Sequence, residues 1–190
     1  MRRIVVAMTG ASGAALGRAA LAMLRAMPDV RTHLVLSAAA RRTIAHELEE
    51  RAEDLAALAD VVHDVDDIGA GPASGSFAAH GMLIAPCSIR TLSAIACCNA
   101  DNLITRAADV MLKERRRLVL MVRESPLHLG HLRAMTAATE AGAIIAPPVP
   151  AFYSRPRDLA EMTSQTAARA LALLGLEAEE LRRWEGDSKS

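Results

Sequence analysis

Apolar residues run along this chain in two alternating patterns. Short, nearly continuous stretches rich in Val, Ile and Leu recur at RIVVAM (3–8), THLVLS (32–37), ADVVH (59–63), GMLIAP (81–86), LVLMVR (118–123) and AIIAPP (143–148). Runs of that length and composition read as strands buried on both faces. Between them, apolar residues return every three or four positions at about 13–27, 38–58, 88–98, 102–115, 128–141 and 158–174, the period of a helix with one buried side. Strand alternating with helix predicts βαβ units and an α/β fold: a single doubly wound parallel-sheet domain, Rossmann/flavodoxin-like. In such a sheet ligands gather beyond the carboxyl ends of the strands, so the residues just after each strand carry the functional weight.

Composition narrows the class. With 190 residues the chain fits one domain, expected over 1–184, with EGDSKS (185–190) as a disordered tail. Lys plus Arg and Asp plus Glu balance at 22 each, so no overall field draws it to nucleic acid or to an anionic membrane, and an anion must be met locally. The apolar run after Arg2 and Arg3 is too short for a signal peptide or a membrane span. Cys87, Cys97 and Cys98 form no CxxC, which fits a reducing cytoplasm and argues against a disulfide framework. Hydrophobic residues reach 52% but aromatics only 2%, so small aliphatic side chains fill the core, and the surplus apolar surface predicts a homo-oligomer. Two Gly/Pro-rich loops, DDIGAGPASGS (66–76) and PPVPAFYSRPRD (147–158), are long enough to be functional.

The candidate chemistry lies at strand ends. After the first strand, Gly10-Ala11-Ser12-Gly13 offers backbone N–H groups and a hydroxyl at a helix start, where an anion is favoured. The turn is not GxGxxG, and Ser37 rather than an acid follows the second strand, which disfavours NAD and leaves a mononucleotide or flavin phosphate. After the fourth strand, Cys87-Ser88-Ile89-Arg90-Thr91 is a second such turn; Ser88 and Thr91 could hold a phosphate or simply cap the helix. Arg123 and Glu124 end the fifth strand, where an active site belongs. Arg115-Arg116-Arg117 reads as a solvated helix end. Lys113 is either a surface lysine or a phosphate donor. Tyr153 and Arg169 could bind a second phosphate, or cover an edge and a helix surface. His128 and His131, at i and i+3, lack a third metal ligand, and His63-Asp64-Val65-Asp66-Asp67 reads as a solvated turn.

Together TGASGA, LSAAARRTIAHE, PASGSF, APCSIRTLSAIA, NLITRAADVMLKERRRLVLMVRESPLHLGHL and GAIIAPPVPAFYSRP resemble the flavin prenyltransferase family, small-subunit partners of aromatic-acid decarboxylases. The resemblance implies that reduced FMN and dimethylallyl monophosphate bind together, without a metal. The dimethylallyl group would be joined to flavin N5 and C6, giving prenylated FMN for a separate decarboxylase. It implies that Gly10, Ala11, Ser12, Ser37, Ser88, Ile89, Arg90, Thr91 and Arg123 hold FMN. Arg106, Lys113, Glu124, Tyr153 and Arg169 would surround the prenyl phosphate, with Ser12 and Glu47 near the reacting flavin edge. Catalytic roles would fall to Ser12, Glu47, Lys113 and Glu124. Trp184 would close over the site from a neighbouring subunit of a dodecamer. One departure stands out: where some members carry an aromatic residue before Pro-Ala-Ser-Gly-Ser, this chain has only Ile68. The rival readings are an FMN-dependent cysteine decarboxylase, whose Pro-Ala-Ser-Ala-Asn-Thr stretch is missing here, and an FMN carrier without catalysis.

Overall fold

The computed structural model describes residues 1–184 and 186; the rest of the predicted tail lies outside the described residues. Six strands, β1 (Arg2–Met8), β2 (Val30–Leu36), β3 (Val61–His63), β4 (Ala79–Cys87), β5 (Arg117–Val122) and β6 (Ile144–Ile145), pair in the order β3-β2-β1-β4-β5-β6. Every pairing is parallel. The helices are α1 (Ala14–Arg25), α2 (Ala38–Glu47), α3 (Ala52–Ala56), α4 (Ile89–Ala96), α5 (Leu103–Lys113), α6 (Leu129–Glu140) and α7 (Leu159–Leu173). The predicted doubly wound α/β fold is the one observed.

The two-residue side-chain period splits the core into two halves. Ile4, Val6 and Met8 of β1 face α1 and α7, while Val5 and Ala7 face α4, α5 and α6. With both faces covered, β1 and β4 in the middle of the sheet are almost wholly buried, which is why their sequences are continuous apolar runs. Among the described residues no helix is long and apolar enough to cross a membrane.

The helix predicted over 38–58 is in fact two. Ile44, Leu48, Ala52 and Leu55 keep helical spacing and all pack on one core, so periodicity alone reads straight through. The chain nevertheless leaves the helix after Glu47, and Glu49 adopts a left-handed φ of 53° with no glycine or proline to announce the turn. The arginine run also departs from expectation. Arg115 adopts φ 56°, and half-buried Arg116 donates to the carbonyls of Phe77 (2.6 Å) and Gly75 (2.8 Å), so it clasps the 74–78 loop instead of standing in solvent.

Candidate active site

Thr9 ties the central turns together. Its hydroxyl donates to the Pro86 carbonyl (2.8 Å) and accepts from the Ser88 N–H (2.7 Å), and its backbone N–H reaches the same carbonyl. The Arg123 N–H bonds the Cys87 carbonyl, and the Ser37 N–H bonds that of Met8. Four turns, after β1, β2, β4 and β5, are thereby laced into one crevice. Thr9 is only 2% exposed. Sequence reasoning missed it, because a threonine between a strand and a glycine looks like a turn residue.

The turn after β1 is shaped by glycine. Gly13 has φ 111°, a region an L side chain resists, and a Cβ on Gly10 would lie 2.5 Å from that of Ala39. Gly13 therefore brings no side chain to cap α1, and Glu47, the last residue of α2, does so: its Oε2 accepts from Gly13 N (2.9 Å) and Ala14 N (2.8 Å). Burial opposes the charge, but the Ser12 hydroxyl, these two N–H groups and the Arg123 guanidinium together hold the Glu47 carboxyl below its usual range. It is a carboxylate at neutral pH.

The turns after β2 and β4 are capped locally. Ser37 accepts from Ala40 N (3.0 Å), and Ser88 accepts from Thr91 N (3.3 Å) while donating to the Thr91 hydroxyl (3.2 Å). Both serines thus perform the capping that their positions allowed. The N–H groups of Ile89 and Arg90 have no acceptor among the described residues, leaving an open donor pair at the start of α4. Ile89 packs against the core, and the exposed Arg90 side chain turns away to Asp101 (3.5 Å).

A cavity of about 450 Å³ lies over this turn, lined by Ser12, Glu47 and Arg123 and walled by Leu16, Leu48, Pro148, Pro150, Leu159 and Met162. A second, of about 350 Å³, shares Pro150 and Thr166 with it and holds Tyr153, Arg169 and Arg182. Arg182 is occupied by the Ser154 carbonyl and Glu161, whereas Arg169 has no carboxylate partner among the described residues. Trp184 meets Tyr153 edge-on within the same chain, centroids 5.9 Å apart at 71°. A wider groove of about 860 Å³ between α1 and α7 adjoins the first cavity, but its one arginine, Arg18, is paired with Glu50 (2.9 Å).

The remaining candidates stand apart. Glu124 lies just beyond β5, exposed, its carboxylate accepting from the next N–H at Ser125 (3.0 Å), and lines neither cavity. Arg106 is engaged by the Ala73 carbonyl (3.2 Å) and Asp109 (2.7 Å), and Lys113 is paired with Glu114. Both sit on α5, but Lys113 ends it beside Gly75, near the amino ends of β4 and β5, whereas Arg106 lies one turn from its start, where the Leu103 N–H bonds the Val65 carbonyl just past β3. The length of β5 puts Lys113 about 17 Å or more from the carboxyl edge. His128 is an N-cap, its Nδ1 accepting from Gly130 N (3.0 Å), with the His131 ring tilted against it at 36°, centroids 3.6 Å apart. Among the described residues no three His, Cys, Asp or Glu converge as metal ligands.

Comparison with known proteins agrees with this geometry. The family model described as Flavoprotein matches residues 1–164. The flavin prenyltransferase UbiX of Escherichia coli (strain K12) is 53% identical over 188 residues, covering 98% of this chain and all of that one. The crystal structure of AnUbiX (PadA1) in complex with FMN and dimethylallyl pyrophosphate superposes with a TM-score of 0.95 at 51% identity, covering 97% of this chain and 98% of that chain. A dodecameric FMN-dependent UbiX-like decarboxylase from Escherichia coli O157:H7 gives 0.94 at 48% identity, covering 97% and 100%.

Proposed function

This chain belongs to the flavin prenyltransferase family, and on that premise we propose that it joins the dimethylallyl group of dimethylallyl monophosphate to N5 and C6 of reduced FMN. Phosphate leaves, and the prenylated FMN serves a separate decarboxylase. The observation that carries the reading is the crevice itself: an open helix start at α4, a free arginine at Arg123 and an apolar wall, held together by buried Thr9.

The residues fit the flavin. The open N–H pair of Ile89 and Arg90, with the Ser88 and Thr91 hydroxyls, suits a phosphate at a helix start. Gly10, Ala11, Ser12 and Ser37 supply a close backbone approach for the rest of the molecule, and Arg123 a cation. When bound, reduced FMN supplies the electron-rich ring that takes the allylic carbon.

Breaking the C–O bond of the donor sends an electron pair to phosphate, so the protein must meet a growing negative charge with fixed donors. Arg123, Arg169 and the Tyr153 hydroxyl flank two adjoining cavities and suit that role. Ser12 and Glu47 stand at the flavin edge. Lys113 belongs to the far edge of the sheet, so it serves this ligand from another copy, where it would meet Glu124, while Arg106, one turn into α5, serves it once released from Asp109. Trp184 likewise closes a neighbour's site. The dodecameric relative supports such an assembly. A cytoplasmic location fits the three free cysteines.

Anaerobic incubation with reduced FMN and dimethylallyl monophosphate, followed by mass measurement of the extracted flavin, tests the activity. A flavin heavier by C5H8 is expected; unmodified flavin would overturn the proposal.

A further inference from the structure

A lysine at the end of a surface helix commonly extends into solvent. Lys113, the last residue of α5, is instead set in a built notch. Its ammonium pairs with the Glu114 carboxylate, and both lie against Gly75, where a Cβ would clash with that carboxylate and stand 2.7 Å from the Lys113 Nζ. The floor of the notch is fixed: Arg116 donates to the carbonyls of Gly75 (2.8 Å) and Phe77 (2.6 Å), while His33 meets the Phe77 ring edge-on and Arg3 lies over it. The same Arg116 stands 4.0 Å from the second Glu114 oxygen. Glu114 therefore faces two cations of different mobility. Arg116, half-buried and tied to two carbonyls, stays in place, whereas Lys113 is exposed on a flexible four-carbon stem. When Lys113 leaves, Arg116 still faces the carboxylate, so no charge is stranded.

We propose that Glu114 is a positioning residue that acts through Lys113: it holds the ammonium over Gly75, yields it to the phosphate of the prenyl donor, and takes it back as inorganic phosphate leaves. The proposal rests on the reading above, in which Lys113 serves a ligand bound by another copy. The exchange replaces one ion pair by another and moves no proton. Glu114 is charged and ready for it at neutral pH, because the hydrogen bond and charge of Lys113, with Arg116 behind them, hold its carboxyl below the usual range against desolvation. A phosphate carries more charge than one carboxylate and can draw the ammonium away. The carboxylate, tethered on the next residue, is always at hand to recapture it. Without Glu114, Lys113 would hold product phosphate longer.

The test titrates inorganic phosphate calorimetrically into the full-length protein saturated with FMN, so that the flavin phosphate already fills its own site. Glu114→Gln keeps the length of the side chain without its charge and is expected to bind phosphate about threefold to fivefold tighter than wild type, the scale of one exposed ion pair. Glu114→Asp, which restores the charge, should move the affinity back toward wild type. Lys113→Ala should bind phosphate more weakly, and adding Glu114→Gln to it should bring no gain. A role in stability alone would lower the Tm of Glu114→Gln and leave its phosphate affinity unchanged. Equal affinity in wild type and Glu114→Gln, or the same gain with Lys113 absent, overturns the proposal. Prenyl-transfer assays keep the underlying reading separate. Full activity in Lys113→Ala would sink that reading and this proposal with it, whereas a crippled Lys113→Ala beside an unaltered Glu114→Gln would sink this proposal alone. If wild type transfers no prenyl group, the functional reading falls, and the titration still decides whether Glu114 competes for Lys113.

Discussion

The two edges of the sheet carry cations in different ways. At the carboxyl edge Arg123 and Arg169 are left without carboxylate partners among the described residues, beside cavities that hold Tyr153 and Ser12. At the amino edge the cations are engaged: Lys113 with Glu114, and Arg116 with two loop carbonyls. Unpaired cations over a cavity await an anion, whereas paired ones fasten a loop. The difference teaches that Lys113, if it also meets the prenyl phosphate, does so across a contact between copies, exchanging Glu114 for the ligand.

The sharpest way to break this comparison is to remove one cation from each edge. Arg123→Ala should cost about a hundredfold to a thousandfold in transfer rate, the usual scale for deleting a donor to developing charge. Lys113→Ala should cost a similar factor despite its distance within the chain. Full activity in Lys113→Ala would leave the amino edge a structural clasp only.

Next in size is the lacing of the crevice. Thr9→Val removes one hydroxyl that serves both Pro86 and Ser88 in a site with almost no solvent. The Ser88 N–H is left without an acceptor while the Pro86 carbonyl keeps the Thr9 N–H, so unfolding by denaturant should show a loss of about 2 kcal/mol, with weakened FMN binding. An unchanged midpoint would mean that the turns hold each other without Thr9.

Two groups away from the amino edge, His33 in the middle of β2 and Glu47 at the crevice, should titrate in different pH windows. His33 is buried, shares a hydrogen bond of 2.9 Å with His63 and meets Phe77 edge-on, with Arg3 over the Phe77 ring. Burial, then the neighbouring His63, Arg31 and Arg3, lower its pKa to about 4, against Asp60. The unfolded chain therefore binds this proton more readily: stability is full above about pH 6.5, falls as the pH drops, and stops falling near 4. At pH 5 the loss from this group is about 2 kcal/mol. His33→Leu should flatten that window. Glu47 acts below it: with its carboxyl held below the usual range, its contribution is complete above about 4.5 and is lost as the pH falls through the lower folded value. Denaturant midpoints measured from pH 7 to about 2 check both; a wild type as stable at pH 5 as at 7 contradicts the first.

The smallest effect concerns thiols. Cys87 ends β4 within the crevice floor, and burial pushes its thiol up to about 12. Alkylation of the native protein at pH 8 should leave Cys87 unmodified, while the exposed Cys97 and Cys98 are open to reagent within the chain. A modified Cys87 would show the floor to be less closed than described.

Much of the fold was legible because strand composition and helix period agree with it: six strands and a doubly wound parallel sheet follow from the alternation of apolar runs and helical periods, whereas the strand order emerges only from the structure. The break after Glu47 was not, since Leu48, Ala52 and Leu55 keep the period of one long helix across it. The turns at Gly10–Gly13 and Ser88–Thr91 announced a ligand, but two facts that decide their roles were hidden. Glu47 fills α1 from 33 positions away, and no local pattern records such a bond. Thr9 joins β1 to β4 over 77 positions, through a residue type that commonly sits at strand ends. The resemblance grouped Lys113 with Arg169 around the prenyl phosphate, and only the topology reveals that they stand at opposite edges.

The most direct measurement mixes the two edges. Chains carrying Lys113→Ala and chains carrying Arg123→Ala, each inactive alone, are co-expressed so that they assemble together, and prenyl transfer to reduced FMN is assayed. If one ligand is held by Arg123 of one copy and Lys113 of another, some sites in the mixed assembly recover both residues and transfer returns. If the mixed assembly forms and stays as inactive as its parents, both residues must act from a single chain, and the division of labour between the two edges is wrong.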